Sequence, residues 1–425
     1  MTSCSQPTIK TEVGADKDGH TAPTEHTLNF QAEVAQELPL EDQRDFQDAN
    51  RGLIAKADRV LVKDAKGKIV WDLGQYDFVK GKAPGSVNPS LWRQATLNNI
   101  HGLFKVTEGI YQVRGYDLSN LTIIEGETGW IIVDTLTATE TAKAAMDLAR
   151  KHLDNEDNKK PIKAIIYTHS HIDHFGGVLG VITPDQAQKD KVRIIAPHGF
   201  TEEATSENIL VGLAMGRRAT MMYGKSLSRS ERGHVGSGLG KSPAYGTFTF
   251  LQPTEIIDRT PQTLTIDGLE FVFQYAPESE APAELTFYLP QRKAFCGAEL
   301  LSRNLHNLYT LRGAKVRDAL KWSGYIHEVR GLFPETEVYF ASHHWPMWGR
   351  ENIDLFLERQ ADNYKYIHDQ SVRMINEGFN GAEIAERIKI PPVLGQQFYN
   401  RGYYGTIKHN SKAVYQNYMG WYDAN

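Results

Sequence analysis

Three histidines and one aspartate fall within six consecutive positions of the stretch Tyr167-Thr168-His169-Ser170-His171-Ile172-Asp173-His174-Phe175-Gly176-Gly177. The chain has only 15 histidines in 425 residues, so coincidence is a poor explanation for this density. A β-rich run, Ala164-Ile-Ile-Tyr167, ends just before it, which puts the polar residues on a loop leaving a strand. His169 and His171, two residues apart on extended backbone, project to the same side and can share one ion. Asp173 and His174 come next as the chain turns, and they can face a second ion. The paired glycines permit a sharp turn into the next element. Imidazole and carboxylate donors suit zinc or another first-row divalent metal.

One loop cannot close two coordination shells, so further ligands must come from elsewhere. Three later segments offer them: Ala276-Pro-Glu278-Ser-Glu280-Ala-Pro-Ala-Glu284, then Phe295-Cys-Gly297-Ala-Glu299-Leu, and Val338-Tyr-Phe-Ala-Ser342-His343-His344-Trp345. Alone, each glutamate reads as solvated surface. Their weight comes from a shared position, the end of an apolar strand.

The elements that must position these groups are legible as periodicities. Strand patterns occur at Gly109–Arg114, Leu121–Glu125, Trp130–Val133 and Ala164–Tyr167, with a helix predicted over Thr139–Leu153. Strands feeding strands, then a strand–helix–strand unit, predict an α/β fold with a mixed sheet and helices packed outside it. Further strands are expected at Val192–Ala196, Thr247–Leu251, Leu269–Tyr275, Leu285–Leu289 and Glu337–Phe340. A hairpin is expected from Val60 to Trp71, turning at Lys66-Gly67, and a helix around Leu91–Leu103. The spacing turns helical between Glu202 and Tyr223. After Gly349 it is helical to the end, with a restart at Ala382–Ile388 before Pro391-Pro392. The expected organisation is an N-terminal arm over 1–59, a body over 60–349 and a helical region over 350–425.

Composition excludes several classes. The 47 basic and 52 acidic residues give a net charge of −5, so no global basic field favours nucleic acid. Two cysteines, Cys4 and Cys296, cannot build a disulfide framework or a cysteine-rich zinc module. No apolar run is long enough for a transmembrane segment, and residues 2–29 carry no hydrophobic signal. The expected location is cytoplasmic, or periplasmic or secreted if a signal was removed. Gly236-Ser-Gly238-Leu-Gly240-Lys241-Ser242 imitates a phosphate-binding loop. Val235 stands where its first glycine belongs and Pro243 sits where a helix must start, so no nucleotide is expected. Arg229–Gly246 reads instead as a mobile loop over the site.

The run Thr168-His-Ser-His-Ile-Asp-His174-Phe-Gly-Gly177 matches the T-H-x-H-x-D-H-x-G-G signature and resembles metallo-β-lactamase-fold hydrolases. Asp134, ending Trp130-Ile-Ile-Val-Asp134, matches the buried aspartate that braces the metal loop in that fold. Glu280, where most members carry histidine, is similar to the alkylsulfatase branch, as are the segments His306–Asp318 and Ala341–Pro346 and the helices after Gly349. The resemblance implies an αββα sandwich followed by an all-α helical dimerisation domain. It implies two Zn2+ per chain, one held by His169, His171 and Glu280, the other by Asp173, His174 and His344, with Glu299 bridging; His343 stays open as the alternative to His344. It implies hydrolysis of alkyl sulfates such as dodecyl sulfate by a metal-activated water, with attack at carbon, and a homodimer through the C-terminal helices. The branch also carries a small lipid-carrier-like domain after the helices, so a chain stopping at Asn425 is expected to be a shortened form.

A sulfate monoester is anionic and needs donors facing it. Arg312 offers a planar fork and Asn307 a neutral amide, while His306 is placed to protonate or hydrogen-bond the departing sulfate. Asp173 and His306 are the expected catalytic groups. Leu213, Met215, Met221, Met222 and Tyr223 are candidates for the alkyl chain, with Tyr223 also within reach of sulfate. The alternative reading keeps the fold and changes the ester to a phosphodiester, thioester or lactone.

Overall fold

The computed structural model describes residues 15–17, 19–57, 59–154 and 159–422. Its central strands are apolar at consecutive positions because both of their faces are covered. In Trp130–Val133 and over 164–166 successive side chains enter different cores. Trp130, Ile132 and Ile165 join one, whereas Ile131, Val133, Ala164 and Ile166 join another.

Eight strands form the first sheet, in the spatial order Leu53–Ala55, Gly102–Thr107, Ile110–Arg114, Leu121–Glu125, Trp130–Val133, Ile162–Ile166, Arg193–Pro197 and Glu255–Ile257. The first five pair antiparallel, and the last three are added in parallel. Val133 pairs with Ile166, so these two strands end together at one rim, and the neighbouring strand runs two residues further to Pro197. The carboxyl ends of parallel strands are where α/β sheets build their sites.

The second sheet runs Gln262–Ile266, Leu269–Tyr275, Leu285–Leu289, Ala294–Cys296, Val338–Phe340 and Met347–Trp348. Phe271, Phe273, Phe287 and Phe340 from this sheet meet Ile124, Ile131, Ile166 and Ile195 from the first in one buried cluster. Helix Thr139–Leu153 lays Ala142, Ala145, Met146 and Ala149 on the outer face of the first sheet. Helices Ala319–Leu332 and Arg350–Asn376 cover the second, sharing a core through Trp322, Ile326, Phe356 and Tyr364. The layers are therefore helix, sheet, sheet, helix, and helices Gly381–Arg387 and Ile407–Met419 pack beyond them.

Several elements differ from expectation. The helix expected at Leu91–Leu103 spans Pro89–Asn98, because the Asn88 side chain caps its first turn and the chain re-enters the sheet at Gly102. Thr247–Leu251 forms no strand. Its backbone is used elsewhere, Thr249 N–H donating to the Gly176 carbonyl and Thr247 N–H to Glu140. Glu255–Ile257 occupies the sheet edge instead. Residues 1–14 of the expected arm, Cys4 included, lie outside the described residues. Beyond them the arm forms helices Glu25–Glu37 and Arg44–Asn50, and Asp45 is tied to the body by Arg93 and Arg303, each at 2.9 Å.

Candidate metal centre

Two strand ends of the first sheet make the histidine side of the site. Trp130–Val133 delivers Asp134, a buried residue whose φ of 57° turns the chain sharply out of the sheet. Its carboxylate accepts the Thr168 N–H at 2.9 Å, the Thr168 hydroxyl at 3.0 Å and the Ser342 hydroxyl at 2.6 Å. It also stands 2.8 Å from His174 Nδ1, which orients that ring and leaves Nε2 facing inward. Gly176 and Gly177 have ordinary negative φ, so turning is not their use. A Cβ at either would collide with the Thr137 or Thr135 carbonyl, and the loop could not pack so closely on Asp134's strand end.

Inside the loop the donors converge. His169, His171, Glu280 and Glu299 form one group, and Asp173, His174, Glu299 and His343 form another, with one donor atom per residue and mutual distances within 4.8 Å. Glu299 belongs to both. Its Oε2 lies 3.3 Å from His169 Nε2, 3.2 Å from His174 Nε2 and 3.0 Å from His343 Nε2. Glu280 Oε2 lies 3.0 Å from His171 Nδ1 and 3.3 Å from His169 Nε2. His169 Nε2, His174 Nε2 and Glu280 Oε2 are buried without a hydrogen bond, a state that costs about 1–3 kcal/mol per group unless something else satisfies it. Burial disfavours charge here, yet Asp173 and Asp134 push His174 well above the ordinary histidine range. His174 in turn overcomes the burial of Asp173 and holds its carboxyl low. A borderline divalent cation of the first transition row, which takes imidazole nitrogen and carboxylate oxygen together, fits this set of orphaned donors.

The glutamate side comes from the second sheet. Glu284, fully buried just before strand Leu285–Leu289, accepts the N–H groups of Glu280 at 3.1 Å, Ala281 at 3.4 Å, Glu299 at 3.2 Å and Leu300 at 2.6 Å, and the Ser279 hydroxyl at 2.9 Å. One carboxylate thereby fastens the backbones of both glutamate donors. Sequence reasoning did not assign it a role. Its only signal is an uncompensated carboxylate beside the mostly apolar strand Leu285-Thr-Phe-Tyr-Leu289.

His344, expected in the second group, is not in it; His343 is. Both come after strand Val338–Phe340, but His344 takes φ 62°, which sends its ring away. Its Nδ1 stands 3.0 Å from Asn98 Oδ1 and its Nε2 accepts from Asn304 Nδ2 at 3.0 Å, so neither nitrogen is left for an ion. His343 instead anchors Nδ1 at 3.2 Å from the Leu118 carbonyl and turns Nε2 toward Glu299.

The donors open onto a cavity of about 510 Å³ lined by Asp173, Glu280, Glu299, Arg312, Arg317, Tyr223 and Tyr404, and then by Met215, Ala219, Leu239 and Phe248. Arg312 is held by Glu207 at 2.9 Å, and Glu207 also stands 3.7 Å from His171 Nε2. Burial opposes the Arg312 charge, but Glu207 more than restores it. The Tyr223 and Tyr404 hydroxyls bond to each other at 2.7 Å, and burial raises both above the ordinary tyrosine value, keeping them as donors. His306 and Asn307 do not line the cavity. His306 is buried behind Glu299, with Nε2 at 2.9 Å from Oε1, so it faces a metal donor rather than the space for a leaving group. Asn307 grips Arg317 through its carbonyl and its amide oxygen, and Arg317 reaches Glu280 at 2.7 Å. Of the expected apolar group, Met215 and Tyr223 line the cavity, whereas Leu213 and Met221 point to solvent. The stretch expected as a mobile loop supplies Leu239, Pro243 and Ala244 to the wall and is anchored by Asp117, which accepts the Ala244 N–H at 2.9 Å.

A model of the metallo-beta-lactamase superfamily matches residues 114–343, and one of the alkyl sulfatase dimerisation region matches residues 380–425. The chain is 49% identical over 401 residues to an alkyl/aryl-sulfatase of Saccharomyces cerevisiae, covering 94% of this chain and 62% of that one. It is 48% identical over 395 residues to a linear primary-alkylsulfatase of Pseudomonas sp., covering 92% and 58%. Among solved structures, a stereoselective inverting sec-alkylsulfatase from Pseudomonas sp. superposes with a TM-score of 0.90 at 43% identity, over 95% of this chain and 63% of that one. The chain thus spans about three fifths of the length of the curated relatives it matches.

Proposed function

The chain belongs to the metallo-beta-lactamase superfamily and carries the alkyl sulfatase dimerisation region, and from that premise we propose that it hydrolyses alkyl sulfate esters to an alcohol and inorganic sulfate. The observation that carries the reading is the junction of two unlike surfaces in one cavity: buried metal donors at the closed end and apolar walls beyond. A long-chain alkyl sulfate has the same two parts in the same order. Two zinc ions would be held, one by His169, His171 and Glu280, the other by Asp173, His174 and His343, with Glu299 a donor in both groups. When bound, such ions supply Lewis acidity and bring the pKa of a water from about 15.7 toward about 7.

The chain's own residues do the rest. Asp173, Glu207, Glu280 and Glu299 crowd the closed end beside Arg312 and Arg317, so its carboxylates oppose an anionic ester until cations offset them. With divalent ions held by these donors, the carboxylates would be offset and this end would accept an anion. Arg312, oriented by Glu207, presents its fork to sulfate oxygens, and the Tyr223–Tyr404 pair adds protonated hydroxyls. Met215, Ala219, Leu239 and Phe248 take the alkyl chain at about 25 cal/mol per Å² of apolar surface removed from water. His306 acts on Glu299 rather than on the ester, so its expected role as proton donor to sulfate is replaced by one as a positioning residue.

The test is release of free sulfate from dodecyl sulfate by metal-loaded protein, run beside a phosphodiester, a thioester and a lactone. Sulfate release that Arg312→Ala weakens mainly through KM is the expected result. Turnover of one of the other esters without sulfate release would overturn it. The homodimer is assigned to the C-terminal helices, whose end exposes Tyr418, Met419, Trp421 and Tyr422. Light scattering should give twice the chain mass. Among the described residues no helix is long and apolar enough to cross a membrane.

A further inference from the structure

The helix Gly212–Met222, entered through the π-helical turn Ser206–Leu210, has two apolar faces, and only one of them is used by the cavity. Met215 and Ala219 face inward and line it. Leu210, Leu213 and Met221 point the other way, with relative exposures of 77%, 84% and 76%. Leu311, beside Arg312, is 55% exposed, and the Arg312 guanidinium reaches Met215 Sδ at 3.7 Å, so this leucine lies on the same rim. A cluster of large apolar side chains at the mouth of an amphiphile-sized cavity calls for an occupant. Arg217 and Arg218 lie on the exposed part of the same helix and make no ion pair with any described residue.

We propose that this outer face docks on the surface of an anionic amphiphile aggregate, an alkyl sulfate micelle, and that monomers pass from there into the cavity. The inference rests on the alkyl sulfate reading of the cavity. Leucine and methionine side chains enter the alkyl layer while the two arginines meet the sulfate headgroups, the division of labour of an interfacial helix. A second copy of the chain is a poorer occupant. A twofold contact through this face would bring Arg217 and Arg218 of one copy against the same residues of the other.

The experiment uses the full, metal-loaded chain and two variants, Leu210→Ser/Leu213→Ser/Met221→Ser and Arg217→Gln/Arg218→Gln. None of these side chains lines the cavity, and all are solvent-exposed, so melting temperatures should stay near that of the parent. Binding is read by cosedimentation with phosphatidylcholine vesicles with and without phosphatidylglycerol. Activity is read on dodecyl sulfate below and above its critical micelle concentration. The parent should bind anionic but not neutral vesicles, and its rate should rise again above the critical micelle concentration. The serine variant should lose at least about tenfold in vesicle binding. The glutamine variant should lose about fivefold per charge, an effect that salt abolishes in the parent. Monomer kcat/KM should be unchanged in both. A parent that ignores anionic vesicles, or variants that bind as it does, overturns the proposal. So does a parent dimer that the serine variant dissociates, because the face then belongs to a second copy. Absence of sulfate release from monomeric ester, with vesicle binding intact, would instead overturn the reading of the cavity and leave the docking face standing.

Discussion

Asp134 and Glu284 are both buried carboxylates beside the metal donors, and they hold opposite halves of the site by different means. Asp134 gathers side chains: one imidazole, two hydroxyls and a single N–H. Glu284 gathers backbone: four N–H groups and one hydroxyl. The difference arises from where the donors sit in the chain. The histidine half, His343 apart, is one contiguous loop, already local, and needs its rings aimed. The glutamate half comes from two strand ends fifteen or more positions apart, and it needs two backbones fixed at one distance. A carboxylate can do either task because it offers about four acceptor sites to whatever donors surround it.

That contrast can be broken at either end. Asp134→Ala should have the largest effect, because it strands His174 and the Thr168 and Ser342 hydroxyls together. A loss of about 3–5 kcal/mol in denaturant unfolding is expected, with metal affinity down about 10–100-fold by competition with a chelator. His343→Ala should remove one metal equivalent per chain while His344→Ala keeps both and costs only about 1–3 kcal/mol of stability through Asn98 and Asn304. Equal metal contents in the two variants would return the ligand role to an open question between neighbours. Glu284→Gln comes next. The amide keeps one acceptor oxygen and turns an NH2 toward backbone N–H groups, so about 1–3 kcal/mol of stability should go. Both ions should bind more weakly in titration calorimetry, since both glutamate backbones loosen. If only one ion is affected, Glu284 does not serve both halves. Ser342→Ala sets the small end of the scale. About 1 kcal/mol should be lost, with metal content unchanged by elemental analysis.

How far these parts could be read from residues alone obeys the same division. The histidine loop was legible because its donors are adjacent and their types are rare. Asp134 was reachable through the motif that comes after it. Glu280 and Glu299 were reachable from their shared place at strand ends, aided by resemblance. His343 and His344 could not be separated, since the choice depends on one left-handed residue and on Asn98 and Asn304, 246 and 40 positions earlier in the chain. Glu284 carries no motif at all, because its partners are N–H groups that nearly every residue has. His306, Asn307 and Arg312 lie within seven positions, yet only Arg312 reaches the cavity. Thr247–Leu251 shows the limit of periodicity. Its alternation suits a strand, but Glu140 and Gly176 offer its N–H groups nearer partners than any sheet edge.

The central claim is a pair of cations gathered by the two halves and joined at Glu299. Anomalous diffraction at the zinc edge from crystals of metal-loaded protein tests it directly. Two peaks are predicted, one among His169, His171 and Glu280 and one among Asp173, His174 and His343, each within bonding reach of Glu299. A single peak, or a second peak seated on His344, would contradict it.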